Sequence, residues 1–153
     1  MRDDLPRLGE IGLANYPPYL MNRIMGRYNA AIRAEMAKLG LTTPKMRALA
    51  VLSVMDGQAI GQLAVHAIVE QSTLSRAVDA LASEGLVRRE ADAADSRSVR
   101  VFITESGRAA FESLWPHMAE TYQAMFGGID PEEQRAFVAT LQKIHAATRK
   151  SEV

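Results

Sequence analysis

A group of hydrogen-bonding side chains stands at the start of the helix predicted from Gln71 to Ser83. The group consists of Gln71, Ser72, Thr73, Ser75 and Arg76. Hydroxyl, amide and guanidinium groups bind phosphate oxygens and base edges, so a helix that begins with them suits the major groove of double-stranded DNA. A single member of the group is uninformative, because serine and threonine are common helix caps and Arg76 alone could be a solvated surface arginine.

Two helices are predicted to position this group. In the segment from Gln71 to Ser83, the apolar residues follow the i, i+4, i+7, i+8 spacing of one buried helix face. They are Leu74, Val78, Leu81 and Ala82, and the opposite face carries Ser72, Arg76, Asp79 and Ser83. The segment from Ile60 to Ile68 is predicted to be the first helix of a helix-turn-helix. Ile68 stands in the turn and Glu70 stands at the cap position, so the pattern defines the first contact residues to within about one position.

A β-hairpin is predicted after the second helix. Gly85 stands where the helix must end, and Leu86 to Glu90 forms the first strand. Apolar residues then alternate with other side chains from Val99 to Thr104, as in a second strand with one buried face. The tip between the strands, Asp92 to Arg97, is small and charged.

Three charged residues of the hairpin are further candidates for DNA contact. Arg89 belongs to the first strand, and Asp95 and Arg97 belong to the tip. Arg97 could reach a minor groove while Asp95 orients its guanidinium through a charge-assisted pair. The alternative for the tip is an ordinary Asp-Ser-Arg turn.

The overall charge gives no support to nucleic-acid binding. Eighteen Lys and Arg residues balance eighteen Asp and Glu residues, whereas nucleic-acid-binding proteins are more often basic. DNA binding therefore requires arginines that point toward DNA and carboxylates that point away from it. The arginines concerned are Arg76, Arg88, Arg89, Arg97 and Arg100.

Two helices are predicted on the N-terminal side of this central segment. Pro17-Pro18 opens the first, whose apolar stripe ends before Gly40. Thr43 is predicted to cap the second, with Pro44 in its first turn. Residues Met1 to Asn15 mix charges with Gly and Pro and are predicted to be a loose arm.

Two more helices are predicted on the C-terminal side. Thr104 caps the first, and Pro116 inside its pattern predicts a kink. Asp130 and Pro131 start the last helix. Its buried face is predicted to consist of Phe137, Leu141, Ile144 and Thr148. The apolar stripes of these flanking helices are too wide for one small partner face, so we expect a homodimer to cover them.

Length and composition indicate one domain, 1–153, with a hydrophobic core. The chain has 153 residues, of which 48% are apolar. No run of about 18 apolar residues occurs, so no membrane span is expected. The N-terminal residues lack the apolar block of a secretory signal and there is no cysteine, so we expect a cytoplasmic protein without thiol-based redox sensing.

Metal binding and catalysis find little support. His66 precedes Glu70 by four residues and His117 precedes Glu120 by three, so each pair could share one helix face. A structural zinc site needs four ligands and there is no thiol, which favours ordinary surface or core histidines. No metal or other cofactor is predicted. No patterned nucleophile motif or glycine-rich phosphate loop occurs, so no enzyme is predicted.

Several short segments in a fixed order resemble a winged helix-turn-helix, and more narrowly the multiple antibiotic resistance regulator (MarR) family of bacterial transcription factors. They are Leu63-Ala64, Ser72 to Arg76, Glu84 to Arg89, Asp95 to Arg97 and Ile103 to Gly107. Their order and spacing together are specific. The resemblance covers most of the chain, because the family also has flanking helices of this length and number.

The resemblance implies a mostly α-helical fold with a small β-hairpin wing. The DNA-binding module would span 43–104, and helices within 16–40 and 105–149 would intertwine with those of a second copy. Two-fold symmetry would let two recognition helices meet half-sites about 34 Å apart in a pseudo-palindromic operator. In that family small aromatic effectors bind between the dimerisation helices and the DNA-binding module and weaken DNA affinity.

The first long helix contains candidates for such an effector site. Apolar and aromatic walls with one cation suit a small aromatic or phenolic acid. The candidates are Tyr16, Tyr19, Arg23 and Trp115. The alternative for each aromatic residue is an ordinary place in the core or an interface. The expected function is that of a ligand-responsive repressor, and the alternative is a winged-helix protein-interaction module without DNA binding.

Overall fold

The computed structural model describes residues 5–149. In chain order its elements are α1 (Leu8–Ile11), a 3-10 turn (Leu13–Asn15), α2 (Pro17–Lys38), α3 (Thr43–Val54), β1 (Gln58–Ala59), α4 (Ile60–Ala67), α5 (Gln71–Ser83), β2 (Val87–Ala91), β3 (Val99–Ile103), α6 (Glu105–Phe126) and α7 (Pro131–Arg149). The prediction of a mostly α-helical fold with a small β-hairpin wing is confirmed.

The N-terminal segment is more ordered than predicted. The first four residues of the predicted loose arm lie outside the described part of the chain. The rest of the arm contains α1, where the Gly12 N–H closes a helical turn on the carbonyl of Leu8 at 2.9 Å. The prediction was wrong here because it took charges with Gly and Pro as signs of a loop, although a single hydrogen-bonded turn tolerates them.

Prolines start the next two helices. Pro17 is the first residue of α2, as predicted, and Gly40 adopts a left-handed φ of 66° just after the helix. The predicted cap of α3 is displaced by one residue. Thr42 is the N-cap and Thr43 is already helical, with the Met46 N–H bonded to the Thr42 carbonyl at 2.9 Å. Pro44 still fits, because the first turn of a helix does not need its missing N–H.

A hydrophobic core joins α2, α3, α4, α5, α6 and the sheet. Its fully buried side chains include Ile32, Leu49, Leu52, Leu63, Leu74, Leu81, Val78, Val101 and Leu114. The predicted buried face of α5 is therefore confirmed, with Ala82 partly buried at its edge. The opposite face of α5 remains in solvent.

The wing is a three-stranded antiparallel sheet in the order β1-β3-β2. Both predicted strands form, and Val87 pairs with Ile103 at the base of the hairpin. The short strand β1 was missed, because its two residues carry no alternating pattern, but Gln58 pairs with Val101. The pairing places the loop before α4 against the wing.

The two C-terminal helices begin as predicted. The Thr104 hydroxyl accepts a hydrogen bond from the Gly107 N–H at 3.0 Å, and Asp130 Oδ2 accepts one from the Glu132 N–H at 2.9 Å. α6 continues through Pro116, the position of the predicted kink, as one helix from Glu105 to Phe126.

The predicted burial of α7 is not found in the single chain. None of its described residues is buried, and the side chains of Phe137 and Ile144 are 43% and 42% exposed. The chain forms two compact units, one ending at Met118 and one starting at Ala119. The smaller unit, which includes α7, has too few elements to cover its apolar face.

Candidate nucleic-acid interface

The exposed face of α5 carries the predicted contact residues. Gln71, Ser72 and Arg76 are exposed, while Thr73 and Ser75 are half-buried. Leu74, one residue from each of the last two, is fully buried and anchors the helix on the core. A helix held from behind in this way presents its polar N-terminal half without bending, as insertion into a major groove requires.

The start of α5 is organised by Glu70. Its Oε1 accepts a hydrogen bond from the Ser72 hydroxyl at 2.8 Å, so in the free protein this hydroxyl has a partner. The Arg76 Nε lies 3.5 Å from the Ser72 carbonyl oxygen, a long and weak contact. The Arg76 guanidinium is thus available for an external partner. The Ser72 hydroxyl, in contrast, must give up its bond to Glu70 before it can bind DNA.

Two cations from α3 hold the helix-turn-helix in place. Arg47 Nη1 donates to the carbonyl of Ile68 at 3.1 Å, and Lys45 Nζ lies 2.5 Å from Glu84 Oε1 at the end of α5. Ile68 has a left-handed φ of 56°, which is unusual for a β-branched residue. Sequence reasoning placed Ile68 in the turn but missed both cations, because the partners lie more than twenty residues apart.

Three of the five arginines expected to point toward DNA have partners within the protein. Arg89 Nη1 lies 2.5 Å from Asp79 Oδ1. Arg88 lies over the ring of Phe102, 4.5 Å from its centroid, and pairs with Glu90. The third is Arg100, which braces the wing.

Arg100 joins the wing to the loop before β1. Its Nη1 donates to the Gly57 carbonyl at 2.8 Å, and its Nε lies 3.0 Å from Asp92 Oδ2. Both contacts engage Arg100 within the protein, and its orientation toward DNA stays a prediction. Among the described residues, Arg76 and Arg97 are the two of the five whose guanidinium groups make no ion pair.

The tip of the wing is an ordered turn. Asp95 Oδ1 accepts a hydrogen bond from the backbone N–H of Arg97 at 2.9 Å, not from its guanidinium. The predicted Asp95–Arg97 side-chain pair is thus replaced by a side-chain-to-backbone turn, which Asp forms readily. The Ala94 N–H keeps the pKa of Asp92 below its ordinary value against the opposing effect of burial, and Arg100 lowers this pKa further. The exposed Arg97 side chain projects from this turn.

The candidate effector residues are only partly brought together. Arg23 Nη1 donates to the Tyr19 hydroxyl at 2.9 Å. Trp115 is 55% exposed and packs on Phe111 with ring centroids 6.4 Å apart, while Tyr16 is 36% exposed. A cavity of about 410 Å³ occurs elsewhere, in the smaller unit. Its lining residues are Tyr122, Pro131, Gln134, Arg135, Val138, Ala139 and Gln142.

Residues 5–149 contain neither a metal-binding cluster nor a membrane-spanning helix. There, no three His, Asp or Glu side chains converge as a metal site would require. His117 Nε2 instead lies 3.4 Å from Glu35 Oε2. Within the same range, no helix combines the length and apolar character that crossing a bilayer demands.

Comparison with known proteins gives this interface its context. The profile of the MarR family matches residues 41–99. The HTH-type transcriptional repressor IacR of Pseudomonas putida is 29% identical over 124 residues, which are 81% of this chain and 74% of IacR. The structure of a MarR-family transcriptional regulator from Silicibacter pomeroyi superposes with a TM-score of 0.91 at 59% identity, covering 97% of this chain and all of that one.

For a third relative, a small molecule that regulates DNA binding is known. BpsR of Bordetella bronchiseptica, whose DNA binding is regulated by 6-hydroxynicotinic acid, superposes with a TM-score of 0.73 at 26% identity. The match covers 84% of this chain and 98% of that one. The matched residues 41–99 include α5 and most of the wing. Together with the extensive identity to the Silicibacter pomeroyi protein, this shows that the chain belongs to the MarR family of DNA-binding transcription regulators, which are not enzymes.

Proposed function

We propose that the protein is a homodimeric repressor that binds a pseudo-palindromic operator and releases it when a small aromatic acid binds. The observation that carries the proposal is the exposed polar face of α5, backed by fully buried Leu74, Val78 and Leu81. This face would enter the major groove, with Gln71, Ser72 and Arg76 nearest the bases.

Ion pairs near α5 and the wing neutralise carboxylates, so this surface can attract DNA although the net charge of the chain is zero. The carboxylates of Asp79 and Asp92 each have an arginine partner, and that of Asp95 accepts a hydrogen bond from the backbone N–H of Arg97. Arg76 and Arg97 remain as cations without such partners among the described residues. A phosphate backbone would therefore meet two available positive charges per subunit, and a dimer would double them.

The exposed apolar side chains support a dimer. In the larger unit, Leu20, Ile24 and Met25 on α2 are each at least 40% exposed. In the smaller unit, Ile144 and Val138 are also more than 40% exposed. Such surfaces favour association with a second copy. The two-fold axis of the resulting dimer would match the symmetry of the two halves of an operator. The named DNA contacts, including Arg89, Thr73 and Ser75, remain part of this proposal.

The effector proposal is supported by the relative BpsR and by two residues of α2. The Arg23 guanidinium, held at the Tyr19 hydroxyl, could pair with a carboxylate while Tyr16, Tyr19 and Trp115 contact an aromatic ring. The dimer would have to complete such a pocket, because Trp115 and Tyr16 are exposed in the single chain.

The test is a DNA-binding titration. The wild-type protein would select duplexes from a random-sequence pool, and the selected duplex and a scrambled duplex would then be titrated at several salt concentrations. We expect the selected duplex to bind more tightly and the affinity to fall steeply with salt. Enrichment of no sequence, together with binding that ignores salt, would favour a protein-interaction module instead. Aromatic acids such as 6-hydroxynicotinic acid would then be added to test release.

A further inference from the structure

We propose that Asp79 is a positioning residue for DNA binding: it orients the guanidinium of Arg89 so that the remaining N–H groups bind a phosphate lying between α5 and the wing. The inference rests on DNA binding as proposed above. It changes the expected role of Arg89 from an independent contact to one half of a unit built from two elements.

The strand places Arg89 on the side of the wing that faces α5. Side chains alternate along a strand, so Arg89 shares a face with Val87, which is buried. Arg88 and Glu90 lie on the other face, where Arg88 stacks on its cross-strand partner Phe102. The two neighbouring arginines therefore do different things, and only Arg89 can reach the recognition helix.

The helix places Asp79 on the same exposed face as Arg76. The two residues are three apart on α5, so their side chains are neighbours. A carboxylate in this place would repel DNA phosphates if it stood alone. The Arg89 guanidinium, 2.5 Å away, neutralises it. The pair thus removes a repulsive charge from the surface that α5 presents.

The geometry leaves part of Arg89 accessible. Asp79 engages Nη1, and the Arg89 side chain remains 42% exposed. A guanidinium has five N–H donors in a rigid plane, so fixing one edge on a carboxylate sets the direction of the others. A phosphate between α5 and the wing would meet a donor whose rotamer is already restricted, which lowers the entropic cost of the contact.

A purely stabilising ion pair is a poorer explanation. The side chain of Asp79 is 62% exposed, and exposed ion pairs contribute little to stability. A competing arrangement, in which Asp79 withholds Arg89 from DNA, predicts the opposite sign for the loss of Asp79. The two arrangements can therefore be separated by one variant series.

The experiment uses Asp79→Asn, Arg89→Ala and the double variant, titrated with the duplex selected by the wild-type protein. Alone, Asp79→Asn should weaken binding by about tenfold, the loss of one charge-assisted contact. In the Arg89→Ala background the same substitution should strengthen binding by about two- to fivefold, because it removes a carboxylate with no partner near phosphates. This reversal of sign is the signature of the proposal.

Salt dependence and a matched control complete the design. Asp79→Asn and Arg89→Ala should each lower the salt slope by about one phosphate equivalent per subunit, and the double variant by no more. A larger loss for Asp79→Asn would mean that the whole wing has come loose, which would overturn the proposal. Glu84→Gln makes the same charge change at the C-cap of α5 and also breaks a 2.5 Å ion pair, with Lys45, but should leave the salt slope unchanged.

The remaining outcomes are also decisive. If Asp79→Asn strengthens binding in both backgrounds, Asp79 competes with phosphate and the proposal is wrong. If Asp79→Asn changes binding in neither background, the positioning role is likewise excluded. The same holds if Asp79→Asn lowers the melting temperature enough for partial unfolding to account for the loss of affinity. Failure of the wild-type protein to bind any duplex would instead refute the proposed function, and the inference with it.

Discussion

Gly107 in the first turn of α6 lies directly against the backbone of Leu86 at the entry to the wing. A Cβ placed on Gly107 would be 2.0 Å from the Leu86 carbonyl oxygen. The same oxygen accepts a hydrogen bond from the Thr104 N–H at 3.1 Å, and the Thr104 hydroxyl donates to the Gly85 carbonyl at 2.7 Å. The base of the wing and the start of α6 therefore form one tightly packed joint.

We expect Gly107→Ala to destabilise the protein, because backbone rather than a flexible side chain blocks the new methyl group. The expected loss is about 1–3 kcal/mol, as for other overpacked sites. Gly26→Ala is the control, since a Cβ at Gly26 in α2 meets nothing within 4 Å. It should raise stability by about 0.5–1 kcal/mol, since alanine is the better helix former. Urea denaturation of the two variants would contradict this packing argument if Gly107→Ala were as stable as wild type.

Much of this architecture could be predicted from the sequence, because it follows local rules. The bounds of α5 follow from its apolar spacing and from Gly85, which has a left-handed φ of 73°. The missing parts are contacts between distant residues. Asp56 Oδ1 accepts the Ile103 N–H, forty-seven residues away, at 2.9 Å. No periodic pattern in the sequence predicts this hydrogen bond or the strand β1 beside it.

The arginines of the candidate site likewise have contacts with distant residues that the sequence does not predict. The sequence identifies Arg76, Arg88, Arg89, Arg97 and Arg100 as cations near the DNA-binding elements. Which of them has a protein partner depends on strand faces and on the fold of the tip. Arg100 binds the Gly57 carbonyl and Asp92, and a composition count could not reveal these contacts.

Arg76→Ala should remove a contact that reads a base edge. We expect a loss of about 1–3 kcal/mol in operator binding and a relaxed sequence preference, because a bidentate arginine contact discriminates between bases by that amount. The measurement is titration of the selected and scrambled duplexes with wild type and variant. Stability should be unchanged, since the side chain is exposed. Operator binding equal to that of wild type would show that another part of α5 enters the groove.

Arg97→Ala should act on DNA without regard to sequence. From the tip of the wing, Arg97 would meet the backbone or the narrow minor groove, so the selected and scrambled duplexes should weaken by similar factors. The salt slope should fall by about one phosphate equivalent per subunit. A loss confined to the selected duplex would instead give Arg97 a base-reading role. Arg97→Lys is the control that keeps the charge.

Acid should loosen the tip of the wing. The pKa of Asp92 is lowered in the folded protein, first by the Ala94 N–H and then by Arg100. Its contribution to stability is therefore fully present above the ordinary value of 3.8 and is lost as the pH falls through the lower native pKa. NMR titration of the Asp92 carboxyl should show a midpoint below 3.8, and Arg100→Gln should raise that midpoint. A midpoint at or above the ordinary value would contradict the contacts described for the tip.

The exposed face of α7 leads to a prediction about assembly. Ile144 is 42% exposed in the single chain, and a homodimer would bury it against a second copy. Ile144→Glu should then place a charge in an apolar interface and shift the protein toward monomer. Ala146→Glu introduces the same charge two residues later, on nearly the opposite side of the helix, and should leave the dimer intact. Light scattering over a range of concentrations measures the mass, and circular dichroism checks that the helices persist. A wild-type protein that is monomeric at every concentration, or an Ile144→Glu variant that dimerises like wild type, would remove α7 from the proposed interface.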